Sequence, residues 1–151
     1  MLDLNEYLPY LINRVGAAVS EAFGAELARD ALTISMWRVL AVLLHNGPQY
    51  MTNLAELTTV EPSTLSRLVA TMQRRGLVTR KRNAADGRHV RVALSARGAT
   101  LTTGLLPAAA QLQDRMIAEL PAADVATLRQ LLKKVHATIH AGAARSERES
   151  V

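Results

Sequence analysis

Cysteine is absent from the 151 residues. That absence excludes disulfides, thiolate zinc sites, cysteine nucleophiles and thiol redox switching. Long apolar runs are also missing. The longest, Val39 to Leu44, is far too short to span a bilayer. The N-terminus, Met1-Leu2-Asp3-Leu4-Asn5-Glu6, has no basic region of the kind that opens a secretory signal. The expectation is a cytoplasmic protein with no membrane partner. No Gly-rich phosphate loop or nucleophile elbow occurs, and nothing arranges the serines and histidines as a triad, so no enzyme and no cofactor is expected.

Acid is scarce in one region. Between Pro62 and Gly98 nine basic residues face one acid, Asp86, which leaves that segment at +8 within a chain of net charge +5. The remainder is therefore mildly acidic, at −3. Such asymmetry points to a polyanion, with nucleic acid first and an anionic membrane second; the plain alternative is a solvated basic face. Hydrophobic residues make up 49% and charged residues 21%, enough apolar surface for one globular domain with extended arms.

Periodicity supplies the elements. Leu4, Leu8, Leu11, Ile12, Val15, Val19 and Phe23 fall at helical spacing, with Pro9 able to set the start. A second helix is expected from about Thr33, its N-cap, to His45, stopped by Asn46-Gly47-Pro48 and apolar nearly all round. A short helix over 53–58, capped by Thr52, precedes a helix from Pro62 that ends at Gly76. Two strands follow, about 77–82 and 90–94, joined by a turn containing Asp86-Gly87. Ser95 caps a long helix to about Glu119, which Pro107 should kink or break. A last helix starts near Pro121 with the stripe Val125, Leu128, Leu131, Leu132, Val135 and Ile139, and the tail after Gly142 should fray.

Short helix, turn, helix and hairpin make a winged helix-turn-helix. On the helix from Pro62, Leu65, Leu68, Val69 and Met72 form one apolar face. Opposite lie Ser63, Arg67, Ala70 and Arg74, flanked by Thr64, Ser66 and Thr71. Hydroxyls reach base edges or phosphates, and arginines pair with guanine or hold phosphates. The hairpin adds Arg80, Lys81, Arg88, His89 and Arg91, a basic wing suited to an adjacent minor groove. Asp86 and Gly87 are expected to structure the wing tip. For any single arginine a solvated charge remains the plain alternative.

The stretches Leu54-Ala55, Val60-Glu61-Pro62-Ser63-Thr64-Leu65-Ser66-Arg67-Leu68-Val69, Arg75-Gly76-Leu77-Val78-Thr79-Arg80 and Asp86-Gly87-Arg88, with Leu94-Ser95-Ala96-Arg97-Gly98, resemble the multiple-antibiotic-resistance regulator (MarR) family. Ser95 stands where that family usually has threonine, which keeps the capping hydroxyl. The resemblance implies a mainly α fold with a small β-hairpin wing: an N-terminal dimerisation helix over 1–32, a winged helix-turn-helix over 33–98 and C-terminal dimerisation helices over 99–151. It implies a homodimeric regulator, a repressor in the first place, on palindromic double-stranded DNA. It also implies release by a small aromatic or phenolic ligand. In this sequence Tyr10 and Trp37 could wall such a ligand and Arg14 or Arg38 pair with its carboxylate; alternatively Trp37 is core and both arginines lie at the surface or in dimer salt bridges.

Two other readings stay open. His136 and His140, at i and i+4, could share a metal in a metal-sensing regulator, although no H-E-x-x-H motif accompanies them and no metal site is expected. A winged-helix interaction module without DNA readout is the other.

Overall fold

The computed structural model describes residues 1–82 and 89–149, with side chains described through 141. Among the described residues six helices and three strands follow one another as α1 (Leu8–Arg29), α2 (Ile34–Asn46), β1 (Gln49–Tyr50), α3 (Met51–Thr58), α4 (Pro62–Arg74), β2 (Val78–Arg82), β3 (Val90–Leu94), α5 (Ala96–Ile117) and α6 (Ala122–Glu149). The chain divides into two compact units, Met1–Leu112 and Gln113–Val151.

The core of the first unit gathers round α2, as its all-round apolarity requires. Met36, Val39, Leu40 and Leu43 of α2 are buried with Phe23 and Leu27 of α1, Leu54 of α3, Leu65, Val69 and Met72 of α4, and Val78 and Val92 of the sheet. Thr33 caps α2 as expected, its hydroxyl accepting from the Met36 N–H at 3.2 Å. Gly47, at φ +73°, stops the helix in a conformation that side chains avoid.

Pro9 stands in the first turn of α1, so the helix begins at Leu8 rather than at Leu4. Thr52 is not the cap of α3. The chain before it is extended as β1, which pairs with β3 (Gln49 with Val92, Tyr50 with Arg91), so the helix springs directly from the strand at Met51 with Tyr50 in the N-cap position and Thr52 already inside it. The sheet order is β1-β3-β2, antiparallel throughout. Three strands with a buried face are stable where a lone hairpin is marginal.

α4 ends in a Schellman motif. The Gly76 N–H bonds Gln73 O, the Leu77 N–H bonds Met72 O, both at 2.9 Å, and Gly76 takes φ +71°. The start of α5 is clamped to this end. The Ser95 hydroxyl donates to Gly76 O at 2.6 Å and accepts from the Gly98 N–H at 2.9 Å, while the Ser95 N–H donates to Leu77 O at 3.1 Å. α5 therefore packs so closely that a Cβ on Gly98 would lie 1.9 Å from Leu77 O.

α5 continues without a break through Pro107. Proline removes one N–H, and the flanking turns hold the helix together. α6 likewise runs on to Glu149 instead of fraying at Gly142; the sequence beyond that glycine, rich in alanine, arginine and glutamate, favours helix. Within the second unit Val125 is buried, whereas Leu128, Leu131, Leu132, Val135 and Ile139 form an exposed stripe. No helix among the described residues is long and apolar enough to cross a membrane.

The Gly98 contact gives a direct test. Gly98→Ala should destabilise the protein by about 3 kcal/mol or more, because backbone rather than a flexible side chain must move; urea denaturation measures it.

Candidate nucleic-acid interface

α4 is built to show one side. Leu65, Val69 and Met72 are completely buried, which fixes the helix roll and turns Ser63, Thr64, Ser66, Arg67 and Arg74 outward. Thr71 is half-buried and accepts from Arg74 Nη2 at 2.9 Å, which restrains that guanidinium along the helix. Ser66 and Arg67 make no hydrogen bond or ion pair among the described residues and are exposed.

The outward end of α4 carries a feature that the sequence reading missed. Glu61 is the N-cap, its carboxylate accepting the N–H groups of Ser63 and Thr64, both at 3.0 Å, and the hydroxyls of the same two residues. The signal was in the sequence: an acid immediately before a proline at the first helical position, with hydroxyls at the next two places. The Ser63 hydroxyl, then the backbone N–H groups of Ser63 and Thr64, hold the Glu61 carboxyl down at about 2, against an ordinary 4.5 and against a small opposing desolvation.

Arg75 belongs to the same basic run of the sequence, but its side chain points elsewhere. Its guanidinium donates to the carbonyls of Asp30 and Ala31, each at 2.7 Å, and lies 3.4 Å from Met36 Sδ. It is half-buried rather than a solvated charge.

The hairpin divides its cations between two faces. Strand alternation places Arg80 and Arg82 with the buried Val78, and Lys81 with Thr79 on the other side. Register sets Lys81 directly opposite Arg91. Like charges in that relation repel, and neither side chain has an ion-pair partner among the described residues. They border an open groove of about 180 Å³ lined by Pro48, Thr79, Lys81, Arg91 and Ala93. Arg80 is half-buried, and Lys81, Arg91 and His89 are exposed, His89 lying edge-on to Tyr50 with centroids 5.8 Å apart. Asp86, Gly87 and Arg88 lie outside the described residues.

The residues named for an effector do not come together as one group within the chain. Arg14 sits 5.7 Å from the Tyr10 ring centroid, on the exposed part of α1. Trp37 is half-buried and packs edge-on against Phe23 at 5.1 Å, with Arg38 exposed beside it. Tyr10 and Phe23 share one helix, on which their separation is about 20 Å at 1.5 Å per residue. In the second unit the His136 and His140 rings meet edge-on at 4.1 Å. Among the described residues no group of three or more metal-ligating side chains occurs.

A fully anchored helix with hydroxyls and guanidiniums outward, preceded by a shorter helix and followed by a cationic hairpin, defines a winged helix-turn-helix DNA-binding module. Comparison with known proteins agrees. The MarR family model matches residues 32–90. The HTH-type transcriptional repressor NicR of Pseudomonas putida is 26% identical over 133 residues, covering 88% of this chain and 84% of that protein. Among solved structures, a MarR-family transcriptional regulator from Silicibacter pomeroyi superposes with a TM-score of 0.81 at 29% identity, covering 91% of this chain and 92% of that one. A mutant MarR from E. coli complexed with operator DNA gives 0.76 at 27% identity, covering 85% and 92%. Residues 32–90 match the MarR family model, and over most of its length the chain is similar to winged-helix transcriptional repressors and regulators of that family.

Two outcomes follow from the geometry. Because the folded Glu61 carboxyl titrates below its unfolded value, its contribution is complete above about pH 4.5 and is lost as pH falls towards about 2. Glu61→Gln should therefore flatten the fall of the thermal midpoint between those values. Arg91→Glu, which turns a cross-strand repulsion into an attraction, should raise the thermal midpoint while weakening DNA binding.

Proposed function

We propose that this protein is a transcriptional repressor that acts as a homodimer on palindromic duplex DNA and releases it when a small aromatic or phenolic ligand binds. The observation that carries the DNA reading is the outward face of α4, whose only acid, Glu61, is fully engaged as a cap. Ser63, Thr64, Ser66, Arg67, Thr71 and Arg74 meet the major groove. Arg80, Lys81, His89 and Arg91 hold the flanking backbone, Arg88 enters the minor groove, and Asp86 with Gly87 shapes the wing tip.

Homodimerisation is supported by apolar surface left uncovered in each unit. Leu8, Ile12 and Val15 form an exposed row on α1, and Leu128, Leu131, Leu132, Val135 and Ile139 another on α6. Contiguous apolar rows of this kind mark interfaces. On this reading residues 1–32 and 99–151 dimerise and 33–98 bind DNA, with two α4 helices meeting half-sites about 34 Å apart. The effector is placed along α1 and α2, with Arg14 over Tyr10 and Arg38 beside Trp37 as the carboxylate-binding candidates. Such a ligand shifts the dimer away from DNA only by its differential affinity for the two states. The protein works in the cytoplasm, without metal, cofactor or catalytic activity.

The test is an electrophoretic mobility shift on the DNA upstream of the protein's own coding sequence, repeated over a salt series. Log affinity should fall steeply with log salt. Arg88→Ala should weaken binding and lower that slope, by up to about 0.9, because one cation fewer displaces counterions from the duplex. Arg67→Ala should cost about 1–3 kcal/mol and relax sequence preference. Unaltered binding by the double variant would reject the assigned surface.

A further inference from the structure

Arg75 closes α4, yet its side chain serves a segment 44 and 45 residues earlier in the chain. Asp30 and Ala31 are the residues by which α1 ends and turns towards α2. Asp30 is the C-cap of α1, and Ala31 takes φ +51°, a conformation an alanine adopts only when something holds it there. Their carbonyls lie at the negative end of the α1 dipole. Two successive carbonyls taken by the two arms of one guanidinium form a fork grip that an ammonium cannot reproduce. Met36 Sδ at 3.4 Å brings the first turn of α2 into the same contact.

This grip sits at a junction already fixed on its other side, where Ser95 holds Gly76 O and Leu77 O. The C-terminal end of α4 is thus bound at once to the α1–α2 turn and to the start of α5. A displacement of α1 has a short, hydrogen-bonded route to α4.

We propose that Arg75 is a positioning residue for operator recognition: it straps the end of α4 to the α1–α2 turn, so that the tilt of α4 in the groove follows α1, and it does so without touching the duplex. The proposal rests on the reading of α4 as the DNA-contacting helix. It separates Arg75 from its neighbour Arg74, which shares its charge and lies on the outward face.

Full-length protein, Arg75→Gln, Arg75→Lys and Arg74→Gln are compared in two measurements. The first, hydrogen exchange without DNA, should show faster exchange over residues 30–36 as well as 74–77 in Arg75→Gln. Arg75→Lys, which retains one of the two bonds, should fall between it and the wild type, and serves alone where the glutamine variant does not fold. Unchanged exchange over 30–36 would overturn the strap. The second is fluorescence anisotropy, over a salt series, with a duplex from upstream of the protein's own coding sequence and a scrambled duplex of equal length. Arg75→Gln should bind the upstream duplex on the order of tenfold more weakly, a typical size for coupling through a packed network. Its log–log salt line should stay parallel to that of the wild type, and binding to the scrambled duplex should not change. Arg74→Gln should instead lose about 0.9 from the slope. The same slope loss in Arg75→Gln would make Arg75 a phosphate contact and overturn the proposal. So would unchanged binding to both duplexes beside a lowered thermal midpoint, which would leave Arg75 a brace alone. If the wild-type protein bound neither duplex, the DNA reading would fall and the recognition role with it, while the exchange data would still judge the strap.

Discussion

The burial of Leu65, Val69 and Met72 is the constraint on which the interface depends. Each is wholly removed from solvent, and burying such a side chain is worth roughly 1.5–3 kcal/mol. Those three contacts fix the roll of α4 about its axis. A rotation of one residue, about 100°, would carry a guanidinium or a hydroxyl inward and an apolar side chain outward. The outward chemistry is therefore a consequence of inward packing, and the polar face needs no contacts of its own to hold its direction.

Electrostatics works against stability in the wing. Lys81 and Arg91 stand opposite each other across two strands without an acid to offset them among the described residues. The free protein carries that repulsion, and a polyanion relieves it. The third strand, β1, and the buried Val78 and Val92 are what allow the hairpin to tolerate it. Packing holds the cations in register, and the counter-charge they lack among the described residues is what a bound polyanion would supply.

Much of this was legible in the sequence because its signals are local. The 3.6-residue spacing on α4, the left-handed Gly76 and the period-two alternation of Val90, Val92 and Leu94 each concern one element, and each element formed where its pattern stood. The Thr33 cap was legible for the same reason. Tertiary partners were not. Thr52 looked like a cap because nothing in its neighbourhood reveals that Gln49 and Tyr50 pair with β3. Arg74 and Arg75 are identical in type and adjacent, and only the folded chain shows one facing out and the other bonded to carbonyls far upstream. Tyr10 and Trp37 looked like walls of one pocket; helix length keeps them apart within the chain. Gly98, by contrast, stood in a motif whose reason appears only with the fold, as a place where α5 and the Leu77 backbone just before β2 leave no room for a methyl group.

The Glu61 cap has a bearing on how the operator can be addressed. A hydroxyl has one hydrogen to give, and those of Ser63 and Thr64 are already given to Glu61. What they offer outward is lone pairs. Such oxygens can take a hydrogen from the exocyclic amino group of cytosine or adenine but have none left for a phosphate. The anionic carboxylate behind them also discourages the sugar–phosphate strand from approaching that tip. The leading end of α4 thereby presents hydroxyl lone pairs rather than the bare N–H groups of an anion receptor.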